Sequence, residues 1–535
     1  MSEELAKQLD FDLAWKRAKA DLPHRLFVRH PFEIDLIESD VTKWLADLKS
    51  EFETGRYHPS PMLVCDVPKP NGAIRPGAHL ATNDRILFAA CVGACLPYIH
   101  TTLSWSQGIV DFSYLLSKRI DDVSWMKSQF TGWKEFERKT LQAITGDVSH
   151  VLFTDITGYY ENIVLETLMS DLRQTGAPDD VVVQISSMLN RWVVSPGRGL
   201  PQGHAPSDIL AKVYLNSVDE SLRNQNIEHL RYVDDFRILA RSESEAKQIL
   251  MELTKLLRHR GLSLQTAKTK ILPVDQACER IEGLTRVLLD VRYRFLAEAR
   301  EFYDATGYMP LDEAEELLEQ NTTDDPNETP VHIIREAFNE NFINADDTGF
   351  PVKGLVTKFD KTLFHFLLNR LGKVKDNYAV EYCLSLLAER PEETEHILKY
   401  LKRNDSISSC DDAIAGFLES ENAIYSYQIY QIIEWRMEDE AGCSSQVTAV
   451  VRALSFDATQ PTYLRSVARA LLARTGNHDE DTRHTAFDRV LPVSVQSLFF
   501  RSPAPGVGLR VRAGPGSARA AGNFSCPVQN VSSMP

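Results

Sequence analysis

The feature that most constrains this chain is a pair of adjacent carboxylates inside an otherwise apolar strand pattern. The stretch "LRYVDDFRILARSES" (230–244) places Asp234 and Asp235 between two apolar runs. A strand interior disfavours aspartate, and neighbouring carboxylates repel each other unless water or a cation lies between them. Taken alone, the pair also fits a surface hairpin turn, in which aspartate is common. The stretch therefore predicts either a solvated turn or a site for a cation.

Two segments upstream carry residues of the same chemical kind. The segment "VLFTDITGYYENI" (151–163) puts Asp155 at the end of an apolar strand pattern, and Tyr160 follows five residues later. The segment "GRGLPQGHAPSDILAKVYL" (197–215) is a loop rich in glycine and proline that leads into a helix pattern. A third carboxylate and a turn-rich loop thus precede the aspartate pair.

These segments, with "RYVDDF" (231–236) and "GLSLQTAKTKIL" (261–272), resemble the palm motifs of a reverse transcriptase in their order and separation. The stretches "VPKPNGAIRP" (67–76) and "NDRILFAA" (83–90) resemble the fingers segments of bacterial enzymes of that group. The resemblance covers roughly residues 63–284, which is less than half of the chain. It implies an α+β fold of the right-hand polymerase type, with fingers, palm and thumb.

The resemblance implies a two-metal site for nucleotidyl transfer. This transfer is an in-line displacement at a phosphate, in which two divalent ions stabilise the attacking and the leaving oxygens. Mg²⁺ prefers hard carboxylate oxygens, and Mn²⁺ can substitute for it. Asp155 and Asp234 are the expected ligands, with the carbonyl of Ile156 as a further one. Asp235 is expected to bind or orient the metals. The alternative is that Asp235 is an ordinary aspartate of a turn.

The same motifs supply the expected nucleotide-binding residues. By resemblance, the ring of Tyr160 lies beneath the sugar of the incoming nucleotide, where it would clash with a 2′-hydroxyl and favour dNTPs. Gln202 is expected to contact the base or the sugar, and Gly203 to let the backbone approach the nucleotide. The alternatives are that Tyr160 is a tyrosine of the core and that Gln202 is a solvated residue of the loop.

Basic residues of these motifs are expected to contact the phosphates. Lys69 and Arg75 flank the turn "PNG", from which a fingers hairpin could close on a triphosphate. By resemblance, Lys268 corresponds to a lysine that this family places near the leaving pyrophosphate, where a proton donor assists the departure of that group. Lys270 is close enough in sequence to be an alternative to Lys268, and a solvated surface charge is the alternative for Lys69.

Charge limits how the chain can hold nucleic acid. The formal net charge is −16, which argues against a surface that coats nucleic acid non-specifically. Template and product would then need a local basic channel or another subunit. The candidates for lining such a channel, with a solvated helix end as the alternative, are Arg258, His259, Arg260, Lys268 and Lys270.

Cysteine usage and apolar runs indicate the compartment. The eight cysteines contain no CxxC pair, so they suggest neither a zinc site nor a disulfide framework. The N-terminus lacks the basic and apolar regions of a secretory signal. The longest apolar run (86–99) is too short to span a bilayer and predicts a buried helix. We expect reduced thiols, a cytoplasmic location and no membrane partner.

Sequence texture divides the chain into four expected parts. They are an N-terminal helical segment (1–62), reverse-transcriptase fingers and palm with the start of the thumb (63–287), an α-helical repeat domain (288–490) and a disordered tail (491–535). Helical segments in the third part resemble a HEAT-like array, with an irregular helical bundle as the alternative. The tail contains no acidic residue and is rich in glycine, proline, arginine and serine, so we expect it to be dispensable.

A polymerase core followed by helical repeats resembles the bacterial abortive-infection and "unknown group" reverse transcriptases, which include anti-phage defence proteins. The resemblance implies an RNA-directed or template-independent DNA polymerase that uses dNTPs, with an RNA template or non-coding RNA as partner and a homo-oligomeric assembly. The alternative is a nucleic-acid-binding or scaffold protein that acts through its helices. Tyr425, Tyr427 and Tyr430 could supply a priming hydroxyl, but packing is their expected use.

Overall fold

The fold is described from a computed structural model of the 535-residue chain. The structure describes residues 2–21, 28, 37–127, 129–282, 331–343, 361–406, 408–437 and 443–475. The tail expected at 491–535 lies outside the described residues, as do the two ends of the expected repeat domain.

The N-terminal part is helical and leads into a β-hairpin. The helices among its described residues are α1 (Ser2–Gln8), α2 (Phe11–Asp21) and α3 (Val41–Glu53). The hairpin pairs strand β1 (Leu63–Pro68) with strand β2 (Ile74–His79) in antiparallel register. Its tip is a single 3-10 turn at Pro70–Gly72, where Gly72 has φ +74°, a conformation that glycine adopts without strain.

A four-stranded antiparallel sheet lies at the centre of the polymerase-like part. Its strand order is β4–β5–β3–β6. The strands are β3 (His150–Asp155), β4 (His229–Tyr232), β5 (Asp235–Ala240) and β6 (Lys270–Pro273). The strand patterns read from the sequence at 150–156 and 229–233 are therefore confirmed.

Helices surround this sheet and connect its strands. They are α4 (Thr82–Leu103), α5 (Gln129–Ala143), α6 (Tyr159–Asn162), α7 (Leu165–Gln174), α8 (Asp179–Trp192), α9 (Ala205–Asn224) and α10 (Glu243–His259). The hydroxyl of Ser242 caps α10 by accepting a hydrogen bond from the backbone N–H of Glu245.

Alternation along β3 buries both faces of the sheet. Leu152 belongs to the main core, which the sheet shares with α4, α7, α8, α9 and α10. Val151 and Phe153 point to the other face, where they meet Phe112 and Phe136. Each large apolar side chain buried in this way contributes roughly 1.5–3 kcal/mol to the free energy of unfolding, so both faces hold β3 in place.

The expectation of a buried apolar helix at 86–99 is confirmed by α4. Among the described helices, α4 is the one that is long and apolar enough to cross a membrane, but most of its apolar residues are buried in the core. Trp192 packs edge-on against Phe88 at a ring-centroid distance of 5.3 Å. The helix therefore serves as the central support of the fold.

Every regular element described between 331 and 475 is helical. The α-helices are α11 (Val331–Phe338), α12 (Lys361–Lys373), α13 (Val380–Glu389), α14 (Thr394–Arg403), α15 (Asp411–Glu419), α16 (Ser426–Arg436), α17 (Ser445–Phe456) and α18 (Thr462–Arg474). Some consecutive helices pack together, such as α17 with α18, and so do helices two apart in order, such as α12 with α14 and α16 with α18. Short π- and 3-10 segments lie at Asn339–Ile343, Pro391–Glu393 and Ser408–Cys410.

This helical part packs directly on the fingers hairpin. Cys65 of β1 is fully buried in a cluster with Tyr427 and Tyr430 of α16. At the hairpin tip, the hydroxyl of Tyr425 donates a hydrogen bond of 3.4 Å to the carbonyl of Gly72. The expectation that the tyrosine cluster is used for packing is therefore confirmed for Tyr427 and Tyr430.

Candidate active site

Three carboxylates lie together at one edge of the central sheet. Asp155, the last residue of β3, lies directly opposite Asp235, the first residue of β5. Tyr232 of β4 pairs with the same Asp235, so Val233 and Asp234 form the two-residue turn of the β4–β5 hairpin. The sheet therefore brings together the three aspartates that the sequence motifs single out.

The hairpin turn has an unusual backbone conformation that the surrounding residues fix. Val233 has φ +57°, a region that β-branched residues rarely adopt. The guanidinium of Arg231 donates a hydrogen bond of 2.8 Å from Nη1 to the Val233 carbonyl. From β3, the backbone N–H of Ile156 donates to the Asp234 carbonyl at 3.2 Å. Both bonds hold Asp234 close to the end of β3.

Burial and mutual repulsion make the ionised form of the hairpin carboxyls costly. The pKa of Asp234 is raised to about 6, chiefly by burial and then by the negative charge of Asp155. Burial also raises the pKa of Asp235 to about 6, although the positive charge of Arg237 opposes the rise. A cation bound among these groups would relieve the repulsion between them.

Lys268 forms an ion pair with one of the three carboxylates. Its Nζ donates a hydrogen bond of 2.8 Å to Oδ2 of Asp155. The loop that carries Lys268 is anchored to β3, because the N–H of Gln265 donates to the Asp155 carbonyl at 2.7 Å. Lys270, the alternative in sequence, lies on β6 with an exposed side chain. The geometry thus favours Lys268 over Lys270 as the residue at the site.

The donor set fits a hard divalent ion. Asp155, Asp234 and Asp235 offer carboxylate oxygens, and Ile156 offers a backbone carbonyl one residue beyond Asp155, which is the ligand chemistry that Mg²⁺ prefers. The oxygens of the three carboxylates are not all within 4.8 Å of one another among the described residues. A divalent ion would have to draw them together and compete with Lys268 for Asp155.

Tyr160 is held in a fixed position next to this edge. It belongs to α6, the short helix that follows β3, and its hydroxyl donates a hydrogen bond of 2.6 Å to Oδ1 of Asp208. The ring packs edge-on against Tyr159 at a centroid distance of 5.5 Å. Gly158, with φ +53°, makes the turn between β3 and α6. The Tyr160 ring therefore cannot rotate away without breaking its bond to α9.

The glycine- and proline-rich loop before α9 connects the palm to the fingers. The carbonyl of Gln202 accepts a hydrogen bond of 3.2 Å from the N–H of Ala78 in β2. Gly203 has φ +93°, which favours glycine at this position. The ring of His204 is also buried against the Ala78 carbonyl, and burial lowers its pKa to about 3. The loop is thereby fixed at the base of the hairpin.

Lys69 and Arg75 lie on the fingers hairpin rather than on the palm sheet. Arg75 pairs with Val67 across the two strands, and its side chain is exposed. The N–H of Lys69 donates a hydrogen bond of 2.7 Å to the Ala73 carbonyl, which closes the hairpin tip. The two basic residues are therefore on one element, separate from the carboxylates.

Behind the hairpin is a buried ionic network that the sequence motifs do not single out. Arg231 forms ion pairs with Asp219 at 2.6 Å and with Asp111 at 3.0 Å. Lys212 binds Asp111 at 2.5 Å, and His229 lies 3.3 Å from Asp219. The side chains of Arg231 and Asp219 are 2% and 0% exposed. Arg231 is thus anchored in the core while it holds the turn that carries Asp234.

The charges in this network balance one another. Burial would raise the pKa of Asp219, but Arg231 and His229 outweigh it and lower the pKa to about 2. Burial lowers the pKa of Lys212, and the carboxylate of Asp111 counteracts this effect. Lys212 and Asp219 are seven residues apart on α9, so they share one helix face. In the sequence, this network is signalled by two charged residues that share one face of an otherwise apolar helix pattern.

One residue expected to line a basic channel has another use. Arg260 forms an ion pair with Asp171, and both side chains are largely buried. Its guanidinium also lies 4.2 Å from the ring centroid of Tyr214. This internal ion pair counts against both expected uses of Arg260, the lining of a basic channel and a solvated helix end. Arg258 and His259 lie in the last turn of α10.

The comparison with known families agrees with this geometry. Residues 67–285 match the sequence model of the family described as "Reverse transcriptase (RNA-dependent DNA polymerase)". A reverse transcriptase domain is therefore present in this chain, and the matched residues contain the sheet, the three aspartates, and the turn and strand β2 of the fingers hairpin. Domains of this family belong to the nucleotidyltransferase class, and the site lies within the matched residues. No curated protein matches the chain in sequence.

Two telomerases are among the solved structures that are similar to the chain. Telomerase from Candida albicans, in complex with a TWJ fragment of telomeric RNA, is 12% identical, with a TM-score of 0.31; the match covers 75% of this chain and 67% of that one. Apo telomerase from Candida tropicalis is 11% identical, with a TM-score of 0.32; the match covers 83% and 73%. Both scores are too low to assign the overall architecture.

Proposed function

We propose that this chain is a DNA polymerase, RNA-directed or template-independent, that transfers nucleotides from dNTPs by a two-metal mechanism. The observation that carries the proposal is the meeting of Asp155, Asp234 and Asp235 at one sheet edge within a reverse transcriptase domain. The donor set suits Mg²⁺, with Mn²⁺ as a substitute. A scaffold that uses only the fold would have no need for this concentration of buried negative charge.

The carboxylates would hold the metal ions at the end of β3. Bound ions would stabilise the attacking and leaving oxygens of the displacement at the α-phosphate. Asp155 and Asp234 are the proposed ligands, with Asp235 and the carbonyl of Ile156 as further ones. Because Arg231 fixes the turn, Asp234 would need only a side-chain rotation to reach an ion.

Lys268 would act on the leaving group. Its ammonium group lies next to Asp155, which places a proton donor beside the expected metal site. When an ion binds Asp155, the lysine would be displaced toward the triphosphate. There it could neutralise or protonate the departing pyrophosphate, which speeds departure.

Tyr160 would select the sugar of the nucleotide. The bond to Asp208 and the contact with Tyr159 fix the orientation of its ring. A ring fixed in this way can exclude a 2′-hydroxyl by steric clash, because it cannot move aside without breaking its hydrogen bond to Asp208. The proposal for Tyr160 therefore depends on packing as well as on its place in the motif.

The fingers residues would bind the triphosphate. Arg75 can make bidentate contacts with phosphate oxygens, and Lys69 supplies a mobile positive charge. The bond between Ala78 and the Gln202 carbonyl links the hairpin to the loop that would contact the base or sugar. Gly203 would let the backbone of that loop approach the nucleotide.

We also assign the chain a role in anti-phage defence, by abortive infection, as a cytoplasmic protein that forms homo-oligomers. The support is the resemblance to bacterial defence-associated reverse transcriptases and the helical part that follows the polymerase domain. We assign that helical part to the HEAT-like class because its helices pack both on consecutive helices and on helices two apart in order, as in a stacked array. An RNA template or non-coding RNA is the proposed partner.

Incorporation of labelled dNTPs by the purified full chain tests the polymerase activity. Reactions contain Mg²⁺ and either an RNA template with primer, a DNA template with primer, or no template. Products that copy the template indicate RNA- or DNA-directed synthesis, and products of unconstrained sequence indicate template-independent synthesis. The variant Asp155→Asn should lose incorporation by on the order of a thousandfold or more, because it removes a metal ligand. The variant Asp47→Asn, at an exposed position on α3, serves as the matched control.

The same variants test the role in defence. If catalysis is the effector, cells that produce Asp155→Asn lose phage protection and cells that produce Asp47→Asn keep it. Protection that survives in Asp155→Asn would overturn the catalytic role and favour a scaffold that acts through the helical part. Absence of incorporation by the folded wild-type chain under every template condition would overturn the polymerase proposal.

A further inference from the structure

A second group of metal-ligating side chains lies in the helical part, far along the chain from the aspartates. His365 of α12 lies beside Glu393 and His396, which belong to the turn before α14 and to α14 itself. One ligand atom from each residue lies within 4.8 Å of the other two. Among the described residues this is the one group of three such side chains that meets this distance.

One carboxylate oxygen lies between the two imidazoles. Oε2 of Glu393 is hydrogen-bonded to Nε2 of His365 and lies 3.9 Å from Nδ1 of His396. The carboxylate is 1% exposed, so its charge is withdrawn from water. Lys361 lies 3.9 Å from the other oxygen, Oε1, which leaves Oε2 facing the histidines.

One ring nitrogen of His396 is available as a metal ligand. Its Nδ1 is buried and makes no hydrogen bond within the described part of the structure. Burial, together with the neighbouring His365, lowers the pKa of His396 to about 4, so its imidazole is neutral at physiological pH. A neutral imidazole is the form that binds metal.

We propose that His365, Glu393 and His396 bind a divalent transition-metal ion of the Zn²⁺ type. Two imidazoles and one carboxylate are a ligand set that suits Zn²⁺ and its first-row neighbours rather than Mg²⁺. With metal–ligand bonds of about 2.1 Å, tetrahedral ligand atoms lie about 3.4 Å apart. Nδ1 of His396, now 3.9 Å from Oε2 of Glu393, would therefore have to move closer to that oxygen, and Nε2 of His365 would have to give up its hydrogen bond to it. Water would complete the coordination.

Binding requires one local movement. The two imidazole rings are stacked, with centroids 3.4 Å apart and an angle of 10° between their planes. Because a metal bonds to nitrogen in the plane of the ring, at least one ring has to turn out of the stack. The site would then join α12 to the start of α14, two helices that pack against each other. Its role is to fasten this part of the helical array.

Metal binding by the purified, chelator-treated full chain tests the site. Excess Mg²⁺ is kept present to occupy the aspartates, and Zn²⁺ is titrated in competition with a chromophoric chelator, with Co²⁺ as a spectroscopic probe. We expect one equivalent of Zn²⁺, a visible Co²⁺ spectrum typical of nitrogen and oxygen ligands, and a higher thermal unfolding midpoint. The variant His396→Asn should weaken Zn²⁺ binding at least about tenfold, whereas His58→Asn, at an exposed histidine, should not.

Chemical modification of the wild-type chain provides a test that does not depend on a variant folding. Zn²⁺ should protect His365 and His396, but not His58, from modification by diethylpyrocarbonate, read by peptide mass spectrometry. The proposal is overturned if the wild-type chain takes up no Zn²⁺ in the presence of Mg²⁺, if His396→Asn binds as tightly as wild type, or if neither histidine is protected. None of these results depends on polymerase activity.

Discussion

At the scale of single residues, Asp234 combines two opposing demands. Its position in the turn suits metal binding, but burial and the charge of Asp155 raise its pKa to about 6. A raised carboxyl pKa means that the folded state holds its proton more tightly than the unfolded state does. The ionised form needed for metal binding is therefore the form that destabilises the metal-free fold.

The variant Asp234→Asn should be more stable than wild type while it is inactive. In the presence of a chelator at neutral pH, the gain in the free energy of unfolding should be about 1–3 kcal/mol, because a neutral amide replaces a disfavoured charge. The gain should grow as pH rises from the ordinary aspartate pKa of about 3.9 to about 6, stay constant above about 6, and vanish below the ordinary pKa, where both states are protonated. Urea unfolding across this pH range measures it; a gain that does not change with pH would contradict the assigned cause.

Activity should depend on the same titrations. Because Asp234 and Asp235 both have pKa values of about 6, metal binding requires proton loss in this range. We expect incorporation of dNTPs to fall as pH drops from 7 to 5, and excess Mg²⁺ to shift the midpoint to lower pH. Initial rates at several Mg²⁺ concentrations measure the effect; a midpoint that does not respond to Mg²⁺ would separate the titration from metal binding.

The side chain of Tyr160 allows the ring and the hydroxyl to be tested separately. Tyr160→Ala should raise ribonucleotide incorporation relative to dNTPs on the order of tenfold to a hundredfold, because the steric barrier is removed. Tyr160→Phe keeps the ring and should retain selectivity, although it loses the bond to Asp208. The ratio of kcat/KM for dNTP and rNTP is the measurement, with Tyr98→Ala on α4 as the control. Equal ratios in all variants would remove Tyr160 from this role.

At the scale of secondary-structure elements, the β4–β5 hairpin depends on a buried arginine. Arg231 links Asp111, Asp219 and the Val233 carbonyl, so it connects the core to the turn that presents Asp234. Removing one partner of a buried ion pair leaves an uncompensated charge. The positive φ of Val233 is a strained backbone conformation, and the hydrogen bond from Arg231 helps to maintain it.

The variant Arg231→Met should therefore reduce the free energy of unfolding by about 3–5 kcal/mol. Arg231→Lys keeps the charge but cannot bind Asp219 through two nitrogens, so it should lower kcat more than it raises KM. Arg241→Met, at an exposed arginine just after β5, is the matched control. Unfolding by urea and steady-state incorporation measure the two effects. Full stability in Arg231→Met would show that the network does not hold the hairpin.

The sequence predicts the elements of the site better than their supports. The strands at 150–156 and 229–233 follow from apolar runs, whereas the pairing of Asp155 with Asp235 is visible only in the register of the sheet. The role of Arg231 could not be read from the motif, because its partners lie up to 120 residues away in sequence. Arg260 was predicted in a channel for a similar reason, since its partner Asp171 is distant along the chain.

At the scale of the whole molecule, the helical part and the polymerase domain share a core. Cys65 of the fingers strand is buried among residues of α16, and burial raises its pKa to about 12. Tyr425 contacts the hairpin tip that carries the proposed triphosphate ligands. The position of the fingers hairpin is thus coupled to the helical part. The sequence predicts a boundary at residues 287–288, which lie outside the described residues, but gives no sign of this contact.

Reactivity of Cys65 reports on this interface. In the full chain, Cys65 should react with a thiol reagent much more slowly than the half-buried Cys278 and Cys443, because it is fully buried. Tyr427→Ala should speed modification of Cys65 by roughly tenfold or more, since it opens a cavity against β1. Peptide mass spectrometry gives the rate for each cysteine, and Tyr378→Ala, at an exposed position, is the control. If Cys65 reacted at the same rate in Tyr427→Ala as in wild type, the packing of α16 on Cys65 would be contradicted.

The most direct test of the central claim compares dNTP incorporation by wild type and Asp234→Asn in Mg²⁺. Both proteins are first shown to be folded by thermal unfolding, which separates chemistry from stability. The account predicts that wild type incorporates dNTPs, that Asp47→Asn matches it, and that Asp234→Asn is inactive although at least as stable. Incorporation by Asp234→Asn at the wild-type rate would contradict the assignment of the three aspartates as the catalytic metal site.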